Sequence, residues 1–164
     1  MKTLLILRHA KSEWDEPGVA DHDRALSQRG KRDAPRMGKR LRAEQMVPDL
    51  IICSTARRAR KTAKLVADAC GYEGEIRFQE DLYMAEADAY LDVLREAPDE
   101  CQCVMVVGHN PGLEELLEAL TGAAEALPTA ALAQVTLPIS RWEELDENME
   151  GELVGLWLPR QEDD

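Results

Sequence analysis

Three short apolar runs, each ended by a polar or cationic group, constrain this chain more than any other feature. Leu4-Leu5-Ile6-Leu7 gives way to Arg8-His9, Leu50-Ile51-Ile52-Cys53 to Ser54-Thr55, and Cys103-Val104-Met105-Val106-Val107 to Gly108-His109. Runs of four or five apolar residues without alternation are typical of strands covered on both faces. Helical stretches separate them. The pattern therefore predicts an α/β domain: a three-layer α/β/α sandwich whose central sheet is largely parallel, with an antiparallel edge. In open sheets of this kind ligands bind in the crevice beyond the carboxyl ends of the strands. Arg8 and His9 then have two readings. They face that crevice and await an anion, or Arg8 snorkels outward and His9 is a hydrogen-bonded surface residue.

The remaining elements follow in order. The first strand spans about Thr3 to Leu7, and Ala10 to Ala25 forms a long polar loop. Ser27 caps a turn of helix, and the main helix is expected to start near Asp33, with Asp33 as its cap and Pro35 in the first turn. A helix from Ser54-Thr55, where Ser54 offers a cap, runs to about Cys70 and stops at Gly71. Ile76 to Phe78 is a short strand. A helix near Asp88 to Arg95 turns Tyr90, Leu91 and Leu94 inward. Pro111 suits the start of the helix Leu113 to Leu120. Ala131 to Leu137 and Glu152 to Leu158 are strands, joined by a polar, acidic connection from Arg141 to Met149. One domain over 1–164 is expected, with 160–164 a frayed acidic tail.

Charge and composition narrow the function. The net charge of −12 argues against nucleic acid as the main partner, because phosphate-backbone binding needs a basic surface. No apolar run approaches membrane-spanning length, and the N-terminus lacks the pattern of a signal peptide. A cytoplasmic monomer without membrane contact is expected. Cys53, Cys70, Cys101 and Cys103 read as reduced thiols. Cys101-Gln102-Cys103 is too tightly spaced for a zinc site, and a grouping of His22 and Asp21 or Asp23 with His9 and His109 would draw on a strand end, a loop and a distant strand without typical zinc spacing; no metal and no cofactor are expected.

If the three strands are parallel, their ends share one rim of the sheet. That rim would carry the imidazoles of His9 and His109, the guanidiniums of Arg8 and one of Arg57, Arg58 and Arg60, and two helix N-termini. Guanidiniums pair with oxyanions in bidentate fashion, and helix N-termini offer N–H groups to anions. An imidazole among them can attack phosphorus. Lys11 and Ser12 can extend the anion pocket. Arg24 can neutralise Asp21 and Asp23 at its entrance.

Leu7-Arg8-His9-Ala10-Lys11-Ser12, Ser54-Thr55-Ala56-Arg57-Arg58-Ala59-Arg60-Lys61-Thr62-Ala63 and Val107-Gly108-His109-Asn110 resemble, in this order, the three motifs of the histidine phosphatase superfamily, whose fold is called phosphoglycerate mutase-like. Arg-His-Ala-Lys-Ser-Glu-Trp, with Asp21-His22-Asp23-Arg24-Ala25-Leu26 and Arg29-Gly30 after it, is most similar to the SixA-type branch, associated with phosphohistidine phosphatase activity. The resemblance implies that His9 is the nucleophile, that Arg8 and Arg58 clamp the phosphoryl oxygens, and that His109 stabilises charge in transfer. Arg58, four positions after Ser54, is implied rather than Arg57. Lys11, Ser12 and Asn110 are implied as substrate contacts.

The larger mutase-like enzymes carry a glutamate that protonates an alcohol leaving group. Met84 stands about where that acid is expected, and Glu80, Asp81, Glu86 and Asp88 flank the position without matching it. General-acid help is typically worth about 10²–10⁴-fold to a poor leaving group. A protonated phosphoimidazole instead departs as neutral imidazole, whose conjugate acid has a pKa of about 6.5. A site without the acid therefore favours P–N substrates over sugar phosphates, and the resemblance to the SixA-type branch implies phosphohistidine on a protein as the substrate. The alternatives are a metal-independent phosphatase of small phosphate esters and a phosphate- or phosphoprotein-binding module without turnover.

Overall fold

A computed structural model describes residues 1–14 and 17–159; the acidic tail expected at 160–164 lies outside the described residues. The strands are β1 (Lys2–Arg8), β2 (Leu50–Ser54), β3 (Ile76–Gln79), β4 (Cys103–Gly108), β5 (Leu132–Leu137) and β6 (Glu152–Trp157). The helices are α1 (Gln28–Ala43), α2 (Arg57–Cys70), α3 (Ala87–Arg95) and α4 (Gly112–Thr121). Short 3₁₀ turns occupy Asp21–Asp23, Glu80–Leu82 and Trp142–Glu144. None of these helices is long and apolar enough to cross a membrane.

The sheet runs β3-β2-β4-β1-β5-β6. The first four strands are mutually parallel, and β5 and β6 are antiparallel additions. Alternate residues of each core strand enter opposite layers. Leu4, Ile6, Val104 and Val106 pack with Tyr90, Leu94, Leu113 and Leu117 of α3 and α4. Leu5, Leu7, Met105 and Val107 pack with Met37, Leu41, Ala63 and Val66 of α1 and α2. Both faces are covered, so both sets of alternate positions are apolar along the middle of each of these core strands, and the buried polar residues Lys2 and Ser54 stand at strand ends. Each such side chain contributes roughly 1.5–3 kcal/mol of burial.

One helix start differs from the sequence-based expectation. α1 begins at Gln28, not near Asp33, because Ser27 supplies the cap: its Oγ accepts the N–H of Gly30 at 3.1 Å. Asp33 is buried inside the helix, 3.5 Å from the guanidiniums of Arg29 and Arg36. Pro35 is interior and costs one helical hydrogen bond. The seam with α2 holds the helix through it. At Gly38 the two helices come so close that a Cβ would stand 2.6 Å from the carbonyl oxygen of Val66.

Candidate active site

Parallel pairing puts the carboxyl ends of β1, β4 and β2 on one rim. Arg8 lies in register with Gly108, and Cys53 with Val107. The backbone at His9 is fixed from both sides: its N–H donates to the carbonyl of Gly108, and its own carbonyl accepts from Ala130, both at 3.1 Å. The His9 ring is 7% exposed, with Nδ1 2.8 Å from the carbonyl oxygen of Ala10. A carbonyl only accepts, so Nδ1 carries the proton and the neutral ring keeps its lone pair on Nε2. Burial pushes the His9 pKa down to about 3; the positive surroundings of His109, Arg8 and Arg58 act in the same direction, and the Ala10 bond opposes them. At neutral pH the ring is an uncharged base.

The second imidazole stands beside it, with ring centroids 5.1 Å apart and planes 54° apart. His109 is pushed down to about 4, by burial first and then by Arg58, Arg8 and His22, against the pull of Asp21. Its Nε2 lies 2.8 Å from Ser54 Oγ, and its backbone N–H donates to the Tyr90 hydroxyl at 3.1 Å. Its Nδ1 is buried and, among the described residues, has no partner. Ser54 is thus not the cap of α2. The cap position falls to Ala56, and the fully buried Ser54 hydroxyl serves His109 while accepting the Ala56 N–H at 3.2 Å. Gly108 leaves room for this arrangement, since a Cβ there would run into the Tyr90 hydroxyl.

Two guanidiniums bear on the imidazoles. Arg58, in the first turn of α2, is 5% exposed, whereas Arg57 is exposed and turns toward the Asp23 carbonyl at 3.5 Å. The Thr62 hydroxyl ties this turn to β1: it donates to the Arg58 carbonyl at 2.7 Å and accepts the Ala10 N–H at 3.0 Å. Arg8 reaches the Leu127 carbonyl with Nη1 at 3.1 Å. Arg8 Nε and Arg58 Nε are buried without partners among the described residues. Two guanidiniums are therefore gathered with two neutral imidazoles and with donor capacity to spare, which suits an oxyanion.

A carboxylate from the loop already touches that set. Asp21 accepts from Arg58 Nη2 at 3.1 Å through Oδ2, and its carbonyl accepts from Arg58 Nη1 at 2.7 Å. Its Oδ1 takes Arg24 Nε at 3.0 Å, and Tyr83 donates its hydroxyl to Oδ2. The Tyr83 bond, followed by Arg58 and Arg24, holds the Asp21 carboxyl down at about 2 despite some opposing burial. Tyr83 also meets His109 edge-on at 5.8 Å and His22 at 4.7 Å. His22 Nε2 lies 2.9 Å from Thr55 Oγ1.

The structure brings His9, His109, Arg8 and Arg58 together. Lys11, Ser12 and Asn110 have other partners. Lys11 Nζ sits 5.2 Å over the Trp14 ring, and Ser12 Oγ accepts from Arg24 at 3.1 Å. Asn110 donates to Glu114 at 3.1 Å and to the Leu127 carbonyl at 2.7 Å, fastening the loop before β5. Glu80, Asp81, Glu86 and Asp88 are exposed, and among the described residues none bonds to the four central side chains. Met84 is 78% exposed with φ of 55°. Its neighbour Tyr83 is the residue that this segment turns toward the site. Tyr83 and Tyr90 lie outside the resembling motifs, and Asp21 and Thr62, although inside them, have no role implied by them. For Asp21 the sequence offers its place in the Asp21-His22-Asp23-Arg24 stretch at the expected entrance, and for Tyr83 only an aromatic residue beside the expected acid. Among the described residues, no three His, Cys, Asp or Glu side chains are grouped as metal ligands.

A model of the histidine phosphatase superfamily (branch 1) matches residues 4–89. An uncharacterised protein of Mycobacterium leprae is 34% identical over 167 residues, covering 94% of this chain and 100% of its own. Two solved structures assigned as the phosphohistidine phosphatase SixA superpose along nearly the whole length. The one from Agrobacterium tumefaciens has a TM-score of 0.83 and 30% identity over 96% of this chain and 98% of its own. The one from Nakamurella multipartitia has a TM-score of 0.84 and 27% identity over 96% of each.

Proposed function

This chain belongs to the histidine phosphatase superfamily, and on that premise we propose that it is a phosphatase working through a phosphohistidine at its own His9, with phosphohistidine on a protein as substrate. The observation that carries the proposal is the state of His9: neutral, with its proton fixed on Nδ1 and its lone pair on Nε2, beside a second neutral imidazole and two guanidiniums. In the first step Nε2 attacks phosphorus. The P–N bond to the substrate imidazole breaks as the P–Nε2 bond forms, and the protonated donor ring leaves as neutral imidazole. Arg8, Arg58 and His109 carry the charge on the equatorial oxygens, His109 through the Nδ1 proton it keeps when the Ser54 hydroxyl donates to Nε2. In the second step water attacks phosphorus, the P–Nε2 bond breaks, and inorganic phosphate takes up the protons of the water. His9 returns to its starting tautomer.

The P–N substrate is favoured by the acid inventory. Asp21 is the carboxylate bonded to the cluster, and it is held ionised, so it has no proton to give an alkoxide at neutral pH. The similarity to proteins assigned as phosphohistidine phosphatases supports the same choice. Lys11, Ser12 and Asn110 line the approach in this proposal. The unpaired cysteines Cys53, Cys70, Cys101 and Cys103 fit a reducing, cytoplasmic setting, where the chain acts as a monomer.

Two substrates test the proposal, a ³²P-phosphohistidine protein and 3-phosphoglycerate. The phosphohistidine protein should be turned over with the higher kcat/KM and should leave a labelled enzyme intermediate. His9→Ala should abolish both the label and the turnover. Equal or reversed efficiency on the two substrates overturns the substrate choice, and a label that survives His9→Ala overturns the nucleophile.

A further inference from the structure

A groove of about 1040 Å³ opens where the loop after β1, helix α2 and strand β3 meet. Its head is the His22–Thr55 bond, next in sequence to Ser54, whose hydroxyl meets His109. Arg57, Arg60, Lys61 and Lys64 line it along α2. They recur at three- and four-residue spacing, so they share one face and span about 10 Å of helix. Lys31 of α1 faces them. Among the described residues, none of the five cations has a carboxylate at ion-pair distance, and no lining residue is acidic. The chain as a whole carries a net charge of −12. Five unneutralised cations in one concavity run against that average, and they set up a local positive potential beside the site. The floor is apolar, with Leu26 and Ile76, and Phe78 is 47% exposed at the edge strand.

We infer that this groove docks an acidic segment of the phosphoprotein substrate, with carboxylates along the α2 face and an apolar side chain on Phe78. The inference rests on the proposed phosphatase reading and adds to it where the protein part of the substrate sits. The extent of the groove favours a segment over a small ligand. Sites for small ligands enclose roughly 300–1,000 Å³ and converge a few buried polar groups on the molecule. Here the cations are exposed and strung along two helical turns, and the concavity lies open. The same feature answers how a chain of net charge −12 can accept an acidic partner, since rim charges chiefly set encounter and specificity.

Two phosphohistidine peptides test the inference, one followed by four glutamates and one by four glutamines. The wild-type protein should show a KM about tenfold lower for the glutamate peptide at low salt, with kcat unchanged, and the gap should close at high salt. Lys61→Glu/Lys64→Glu should erase the preference, and the milder Lys61→Gln/Lys64→Gln should reduce it; neither should change turnover of free phosphoramidate. Binding of the labelled, unphosphorylated glutamate peptide, read by fluorescence anisotropy, should weaken in parallel. Equal KM for the two peptides overturns the groove while leaving the phosphatase reading intact. Peptide binding that is lost in the lysine variants, with no turnover of any substrate by the wild type, upholds the groove and overturns the phosphatase reading. Binding of a nucleoside triphosphate that is lost in the lysine variants, with peptide kinetics unmoved, makes the groove a small-ligand site and overturns the inference.

Discussion

The four parallel strands and the two antiparallel ones share a sheet, yet they contribute to the site in different ways. β1, β2 and β4 each deliver side chains to the rim: Arg8 and then His9, Ser54, and Gly108 followed by His109. β5 and the loop before it supply backbone. Ala131 accepts the N–H of Arg8, Ala130 donates to the His9 carbonyl, and the Leu127 carbonyl takes the Arg8 guanidinium. Crossover helices return the chain to the same starting edge each time, so successive parallel strands end together. An antiparallel pair ends on opposite rims. Side chains from distant parts of the sequence converge in the first arrangement; the second braces them.

Three experiments bear on this contrast, from the largest expected effect to the smallest. Arg58→Ala, on the parallel side, should lower kcat/KM by about 10²–10³-fold, the usual loss when one donor to a transferred oxyanion is removed; a change under about threefold would mean that the rim does not work as a unit. Acid should weaken the same rim next. His9 and His109 are held neutral down to about 3 and 4, while an unfolded histidine protonates near 6.5. The unfolded chain therefore binds more protons below about pH 6.5, and stability that is full above that pH falls as the pH drops toward 4 and then 3. At pH 5 each imidazole should cost about 2 kcal/mol, read from urea midpoints, and His109→Gln should remove its share of the slope. The smallest effect belongs to Trp142→Phe in the connection between β5 and β6. It removes the indole bond to the Cys101 carbonyl and should cost about 1 kcal/mol with turnover unchanged. A large loss of turnover there would break the distinction between brace and rim.

Much of this was legible in the sequence. The core strands are apolar runs because helices cover both faces, and the residues after them mark the rim. What sequence could not supply was pairing at a distance. Ser54 reads as a cap because a serine before a helix usually is one; its hydroxyl instead meets a ring 55 positions away. Tyr90 reads as a core residue, which it is, yet its hydroxyl also fixes the His109 backbone. Asp33 and Pro35 imitate a helix start six residues too late, because local signals cannot reveal that Ser27 already holds the first turn. Trp142, fully buried, hides inside a stretch whose acidic neighbours read as solvated.

Asp21 gives the site one further property. Its ionised carboxylate sits on Arg58, so the cradle carries a tethered counter-ion. A free oxyanion that takes Arg58 Nη1 or Nη2 must displace Asp21 from it, so dilute phosphate or sulfate gains less at those two donors than at a bare arginine. A ligand held elsewhere on the surface brings its phosphoryl group at high effective concentration and makes the exchange without that handicap.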